Sequence, residues 1–219
     1  MWRLADALAV DGWHATAVDL RGHGDAPRSL DYTIAAYAAD VAETRPPGGA
    51  PWSAVIGHSL GGASSTVAAA GDPAWTERLV LIDPAITLDP HDAQVIRRSQ
   101  ERAFADNRVE AVHAEHPHWH PQDIELKVDA VHRASRWAVE QTSAQNTPWD
   151  VSDAVARLTV PTHVIGADPA VFSLFAGESA AAILATNPRV TMSVVAGAGH
   201  SPHRDKPDDT VRHLREALS

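Results

Sequence analysis

The feature that most constrains this chain is the sequence GHSLGG at residues 57–62. A β-branched run over residues 53–56 predicts a strand leading into it, and the alanine-rich run after it predicts a helix that ends near Gly71. A serine between two such elements must lie on a sharp turn, where only very small side chains fit two positions to either side. The glycines at positions 57 and 61 therefore predict that Ser59 presents its hydroxyl from a strained turn.

Short apolar runs elsewhere in the chain predict more strands, and these alternate with helices. Four further strands are predicted at residues 14–19, 79–82, 162–165 and 190–195. Helices are predicted over about residues 1–11 and 34–44, and from Pro207 onward. Alternating strands and helices indicate βαβ units, so the predicted fold class is α/β, with about five strands in a mostly parallel sheet flanked by helices.

One long segment breaks this alternation. Residues 89–150 show no strand pattern, are helical in character and are rich in histidine and tryptophan. The segment lies between the third and fourth strands of the run that starts at residue 14. The predicted organisation is therefore one core domain formed by residues 1–88 and 151–219, with residues 89–150 inserted as a helical cap.

Composition excludes several classes of function. The formal charge of −10 would repel a nucleic acid backbone or an anionic lipid surface, so we expect neither nucleic acid nor membrane partners. The absence of cysteine excludes disulfides, thiolate nucleophiles and cysteine-ligated metals. No signal peptide or long apolar run is visible, so a soluble cytoplasmic protein is expected. The sequence leaves the oligomeric state open.

The histidine-rich run HPHWHP at residues 116–121 raises the question of a metal site. His116, His118 and His120 would share one side only if the segment were extended, and no acidic or fourth ligand is evident. We therefore expect no metal and no other cofactor, and interpret the run as part of the cap surface.

Three motifs together resemble the signatures of the α/β-hydrolase family, in their usual order along the chain. They are DLRGHG at residues 19–24, GHSLGG at 57–62 and GAGHSP at 197–202. The resemblance covers essentially the whole chain outside the predicted cap, and it implies an enzyme with Ser59 as nucleophile and His200 as its base. The Leu60 N–H would stabilise the oxyanion of the tetrahedral intermediate. A phosphate-binding loop is excluded because no Lys-Ser/Thr pair follows the glycines.

The resemblance also implies an acid that orients the histidine. Asp168 follows the predicted strand at 162–165 and gives the chain order Ser, Asp, His, so we predict that it lies within hydrogen-bond reach of His200. The family more often leaves one more residue between the preceding glycine and the acid. Some relatives carry the acid after the preceding strand instead, which makes Asp83 the alternative.

The predicted activity is hydrolysis of an ester, lactone or similar acyl bond of a small molecule through an acyl-enzyme. Alternatives are a carbon–carbon bond hydrolase, a cofactor-free perhydrolase, or a catalytically feeble member of the fold that binds a small molecule. The candidate pocket residues are His58, Trp119, Trp137 and Trp149, and we expect at least one of these tryptophans to face Ser59.

The resemblance predicts a deficit at the beginning of the chain. In the family, two edge strands, a third strand and a His-Gly loop with a second oxyanion donor precede the helix that here begins near Met1. We therefore expect a fragment with five core strands, weak activity and low stability. The strand containing Val18 should be poorly paired or shifted beside the strand containing Ile56.

Overall fold

A parallel β-sheet forms the centre of the protein, as seen in a computed structural model that describes residues 1–219. The strands are β1 (Val55–His58), β2 (Leu79–Ile82), β3 (Thr87–Leu88), β4 (Trp149–Asp150), β5 (Thr162–Gly166) and β6 (Val190–Val194). The helices are α1 (Trp2–Val10), α2 (Ile34–Glu43), α3 (Leu60–Gly71), α4 (Pro90–Ala105), α5 (Val109–Glu115), α6 (Pro121–Arg133), α7 (Arg136–Gln145), α8 (Ser152–Arg157), α9 (Gly177–Thr186), α10 (Pro202–Asp205) and α11 (Pro207–Leu218).

The central sheet has the strand order β1-β2-β5-β6, and all its neighbouring strands are parallel. Strand β2 lies inside it and is buried on both faces, which explains its uninterrupted apolar sequence LVLI. Leu79 and Leu81 belong to the larger apolar cluster, whereas Val80 and Ile82 belong to the other. Successive side chains of one strand therefore fill two separate layers, as the two-residue period of a strand requires.

Helices cover both faces of the sheet. The larger cluster joins the sheet to α2, α3, α8 and α9, and the smaller one joins it to α1 and α11. Leu4 and Leu8, four residues apart on α1, are the buried side chains of that helix and pack in the smaller cluster with Leu214 of α11. The predicted α/β fold class is thereby confirmed.

The predicted number of core strands is wrong, because the sheet has four strands and residues 14–19 form none. Residues 11–19 are exposed, and Val18 is 47% exposed. A cavity separates residues 13–18 from β1 and is lined by both. The backbone N–H and C=O groups of residues 14–19 therefore have no neighbouring strand with which to form hydrogen bonds. Strand β1 itself lies two residues later than predicted, at Val55–His58.

The segment at residues 89–150 leaves and re-enters the core at one place. Strands β3 and β4 pair antiparallel, with Thr87 opposite Asp150 and Leu88 opposite Trp149. Between them lie the four helices α4 to α7. The Asp89 carboxylate caps the first of these helices by accepting the N–H of Asp92. We refer to residues 89–150 as the inserted segment.

The inserted segment docks on the loop at residues 21–24. The Ser135 N–H donates to the Gly22 carbonyl over 2.8 Å, and Ala138 of α7 packs in a small buried cluster with Tyr32 and Tyr37. Gly22 has φ +76°, and a Cβ added there would collide with the Ala138 side chain. The absence of a side chain at Gly22 thus permits this close contact.

No helix of the structure has the length and apolar character needed to cross a membrane.

Substitution of Gly22 provides a test of this docking. Gly22→Ala should lower the free energy of unfolding by about 2–4 kcal/mol, because left-handed backbone strain adds to the overlap with Ala138. Gly12→Ala is the matched control, since Gly12 has φ +87° but open space around its Cα, and should cost only about 1–2 kcal/mol. Urea unfolding followed by circular dichroism measures both, and equal losses would contradict the docking.

Candidate active site

Ser59 lies on a sharp turn between β1 and α3. Its backbone has φ +52°, a left-handed value that is strained for a non-glycine residue. A Cβ at Gly57 would lie 2.6 Å from the Gly61 carbonyl oxygen, and one at Gly62 would lie 2.7 Å from the Pro84 side chain. Gly61 has open space around its Cα, so the glycines that this turn requires are Gly57 and Gly62, not the predicted pair at 57 and 61.

A chain of hydrogen bonds joins Ser59, His200 and Asp83. The Ser59 Oγ lies 3.0 Å from Nε2 of His200, and Nδ1 of His200 lies 2.7 Å from Oδ2 of Asp83. Because an ionised carboxylate only accepts, Nδ1 carries the proton and Nε2 is free to accept the serine proton. This geometry can make Ser59 nucleophilic, since the proton has an acceptor within reach.

The Asp83 carboxylate is fully buried and saturated with donors. Besides His200, it accepts the Ser173 hydroxyl at 2.6 Å and the Leu174 N–H at 3.0 Å. The Ala167 and Phe175 N–H groups approach it at 3.3 and 3.4 Å. Burial alone would raise the pKa of Asp83, but the hydrogen bond and charge of His200 and the bonds from Ser173 and Leu174 outweigh it. The pKa therefore lies below its ordinary value, so Asp83 is ionised at neutral pH.

The prediction that Asp168 lies within reach of His200 is wrong. Its carboxylate is directed to its own loop, where it accepts the Ala170 N–H at 2.9 Å and the Gly197 N–H at 2.8 Å. Asp168 follows β5, whereas Asp83 follows β2, which lies directly beside β1, the strand that immediately precedes Ser59. The alternative acid of the sequence analysis, Asp83, therefore occupies the position beside the histidine.

A second histidine, His58, supports the loop that contains His200. Its Nε2 donates to the His200 carbonyl oxygen over 2.7 Å, and its ring packs 4.8 Å from the rings of both His200 and His203. Burial and the positive charge that His200 can acquire lower the pKa of His58 to about 3. Burial likewise lowers the pKa of His203 well below its ordinary value. Both rings are therefore neutral at physiological pH.

A cavity of about 550 Å³ opens at Ser59. It includes His58 and Leu60, and it extends along β1 to an apolar wall formed by Leu4 and Leu8 of α1. Leu60 begins α3, so its N–H is one of those at a helix N-terminus that lack an intrahelical partner. The cavity therefore brings an apolar surface, the serine hydroxyl and a backbone donor together.

The predicted tryptophans do not line this cavity. The indole N–H of Trp119 donates to Asp205 over 2.6 Å, and that of Trp149 donates to the Ala85 carbonyl over 2.7 Å. Trp137 is 53% exposed. Of the four predicted pocket residues, His58 forms part of the wall of this cavity, and the role of the three tryptophans at the substrate stays a prediction.

The histidines of the HPHWHP run have separate partners. The His116 ring stacks on Trp119 with centroids 3.7 Å apart, and His118 donates to Asp205 over 3.0 Å. His120 accepts the Gln122 N–H at the beginning of α6. Each ring therefore has a structural contact of its own.

Sequence reasoning missed the donors that hold the acid. Ser173 and Leu174 lie in a loop of mixed sequence between β5 and α9, and no pattern there signals a function. Their role depends on where that loop crosses the end of β2. The one signal in the sequence was that Asp83 follows four consecutive apolar residues, which indicates that its carboxylate lies at the end of a buried strand.

A parallel sheet with a strained serine, a histidine and a buried aspartate at the carboxyl ends of its strands defines a protein of the α/β-hydrolase class. Residues 1–213 match the sequence model of the alpha/beta hydrolase family, and the chain belongs to that family. It is accordingly a hydrolase enzyme.

Relatives of known name include esterases and a deformylase. Esterase YbfF of Escherichia coli is 28% identical over 96% of this chain and 84% of its own. The structure of the N-formylmaleamic acid deformylase of Pseudomonas putida S16 superposes with a TM-score of 0.79, at 24% identity, over 97% of this chain and 84% of the other. An esterase of Exiguobacterium antarcticum superposes equally, with a TM-score of 0.79, 17% identity and coverages of 99% and 85%. The two structural likenesses show the shared fold.

The neutral, half-buried His58 makes stability depend on pH. The pKa of His58 is about 3 when folded and about 6.5 when unfolded, so the unfolded chain alone binds this proton as pH falls below 6.5. Stability is therefore fully present above pH 6.5 and is lost on acidification, by up to about 1.4 kcal/mol per pH unit for such a histidine.

His58→Gln, which retains a donor for the His200 carbonyl, should reduce this slope between pH 6.5 and 5. Urea unfolding at several pH values measures it. His163→Gln is the matched control: burial also lowers the pKa of His163, but its ring lies nearer the surface between Thr191 and Ser193, so its removal should reduce the slope less than His58→Gln does. An identical slope in the His58 variant would contradict the assignment.

Proposed function

We propose that this hydrolase cleaves an ester or similar acyl bond of a small molecule through an acyl-enzyme on Ser59. The hydrogen-bonded chain from Ser59 through His200 to Asp83 is the single observation that carries the proposal. Membership of the family and the likeness to esterases support it.

In the first half of the reaction, the Ser59 Oγ attacks the carbonyl carbon while its proton passes to Nε2 of His200. The resulting imidazolium is stabilised by the ionised Asp83 carboxylate on its other side. When the tetrahedral intermediate collapses, the leaving alcohol takes that proton and the acyl group stays on Ser59. A water molecule then attacks the acyl-enzyme by the same proton transfers in reverse, which releases the acid and restores the serine.

The negative oxygen of each tetrahedral intermediate needs a donor that is already in place. The Leu60 N–H is proposed for this role, because it belongs to the first turn of α3 next to Ser59 and borders the cavity. The positive end of the helix dipole favours the same charge.

Ser59→Ala should abolish hydrolysis of short p-nitrophenyl esters while leaving the far-UV circular dichroism unchanged, since the hydroxyl is the nucleophile and contributes little to packing. Labelling by a fluorophosphonate probe should likewise disappear. Esterase turnover that persists in a clean Ser59→Ala preparation would refute the mechanism. Absence of both labelling and turnover in the wild type would overturn the acyl-enzyme proposal and favour the alternative of a small-molecule-binding member of the fold.

A pair of matched variants tests the choice of acid. Asp83→Asn should reduce kcat by about 10³–10⁴, because the amide favours the wrong tautomer of His200. Asp168→Asn, which removes a half-buried loop carboxylate that does not reach His200, should change kcat by less than about tenfold. Steady-state kinetics on the same ester measures both, and the reverse order of effects would restore Asp168 as the acid.

A further inference from the structure

Asp205 connects three parts of the molecule through one carboxylate. It is the last residue of α10, five positions after His200, and its side chain is only 13% exposed. Its Oδ2 accepts the Gly199 N–H at 2.8 Å. Its Oδ1 accepts the Trp119 indole N–H at 2.6 Å and the His118 Nε2–H at 3.0 Å.

The contact on Oδ2 acts on the loop that presents the histidine. Gly199 immediately precedes His200, so a bond to its N–H restrains the backbone from which the imidazole extends. The same loop is held on its other side by the bond from His58 to the His200 carbonyl. Without Asp205, the Gly199 N–H, one residue before His200, would lose its charged acceptor.

The contacts on Oδ1 belong to the inserted segment. Trp119 is 6% exposed and packs with Val112 and Ile124 in a cluster of that segment. The Arg204 guanidinium lies over the Trp119 ring, 4.8 Å from its centroid, which adds a cation–π contact next to the hydrogen bond. The segment is thereby fixed to the helix that follows the histidine loop.

We propose that Asp205 is a positioning residue that couples docking of the inserted segment to the alignment of His200. This rests on the proposed function, in which His200 transfers the proton of Ser59. A carboxylate suits the role because donors approach both of its oxygens, one from each side. An asparagine in its place must present its NH₂ to one of these donors, so one side of the connection is lost.

Kinetics provides the first test. Asp205→Asn should lower kcat on a short p-nitrophenyl ester by about tenfold, with KM changed less than twofold, because Asp205 does not line the cavity at Ser59. Asp208→Asn is the matched control, since Asp208 is an exposed aspartate of the neighbouring α11, and it should retain wild-type kcat. Trp119→Phe, which removes only the indole donor, should lower kcat by about threefold.

The double variant shows whether the two substitutions lower kcat through the same contact. If Trp119 acts through Asp205, the pair Asp205→Asn and Trp119→Phe should have the kcat of Asp205→Asn alone, whereas independent effects would multiply. A multiplied loss would overturn the coupling.

A second test, proton NMR, needs no turnover. It observes the proton on Nδ1 of His200, which is hydrogen-bonded to the Asp83 carboxylate. Its low-field proton NMR signal, identified by its loss in Asp83→Asn, should shift or broaden in Asp205→Asn and remain unchanged in Asp208→Asn. An unchanged signal in Asp205→Asn overturns the proposal, even if kcat falls, and so does an unchanged kcat in an active enzyme.

The experiments distinguish a failure of the proposed function from a failure of the variant to fold. If the wild type hydrolyses no ester, the proposed function fails, and the NMR signal alone then decides the role of Asp205. If Asp205→Asn does not fold, Trp119→Phe replaces it: a shifted signal in that variant supports the proposal, and an unshifted one overturns it.

Discussion

The buried Asp83 carboxylate organises the site. A fully buried charge is tolerated only when donors surround it, and here they come from three places: His200, the residue after β5, and the loop at residues 173–175. Each of these segments is irregular, and each is fixed by donating to the same group. The acid therefore orients the histidine and also holds the loops that surround it, which joins the chemistry of the site to its local stability.

The sheet order explains why this group can act on Ser59. Strands β1 and β2 are adjacent and parallel, so the residues that follow them, Ser59 and Asp83, emerge at the same edge. Strand β2 is buried on both faces, and its carboxyl end is therefore among the least mobile points of the core. His200 reaches the pair from the loop after β6, at the far side of the sheet, and so needs its own supports in His58 and in the loop backbone.

The sequence was sufficient to predict the fold class, the strained serine and the order of the main elements, because those depend on local periodicity and on glycine chemistry. It failed where the answer depended on three-dimensional neighbours. Asp83 and Asp168 both follow apolar strands, and only the direction taken by each loop separates them. The β-branched run at 14–19 has strand propensity, but a strand also needs a neighbouring ladder, and none lies beside it.

The short ribbon of β3 and β4 holds the two ends of the inserted segment side by side. A chain that leaves and returns at one point can be lengthened, shortened or exchanged there without altering the strand order beneath it, since the loop-closure cost grows only slowly with length. Selection can therefore act on the two parts of the molecule separately. The strand order that brings Ser59 and Asp83 to one edge can then persist in chains whose inserted segments differ in length and sequence.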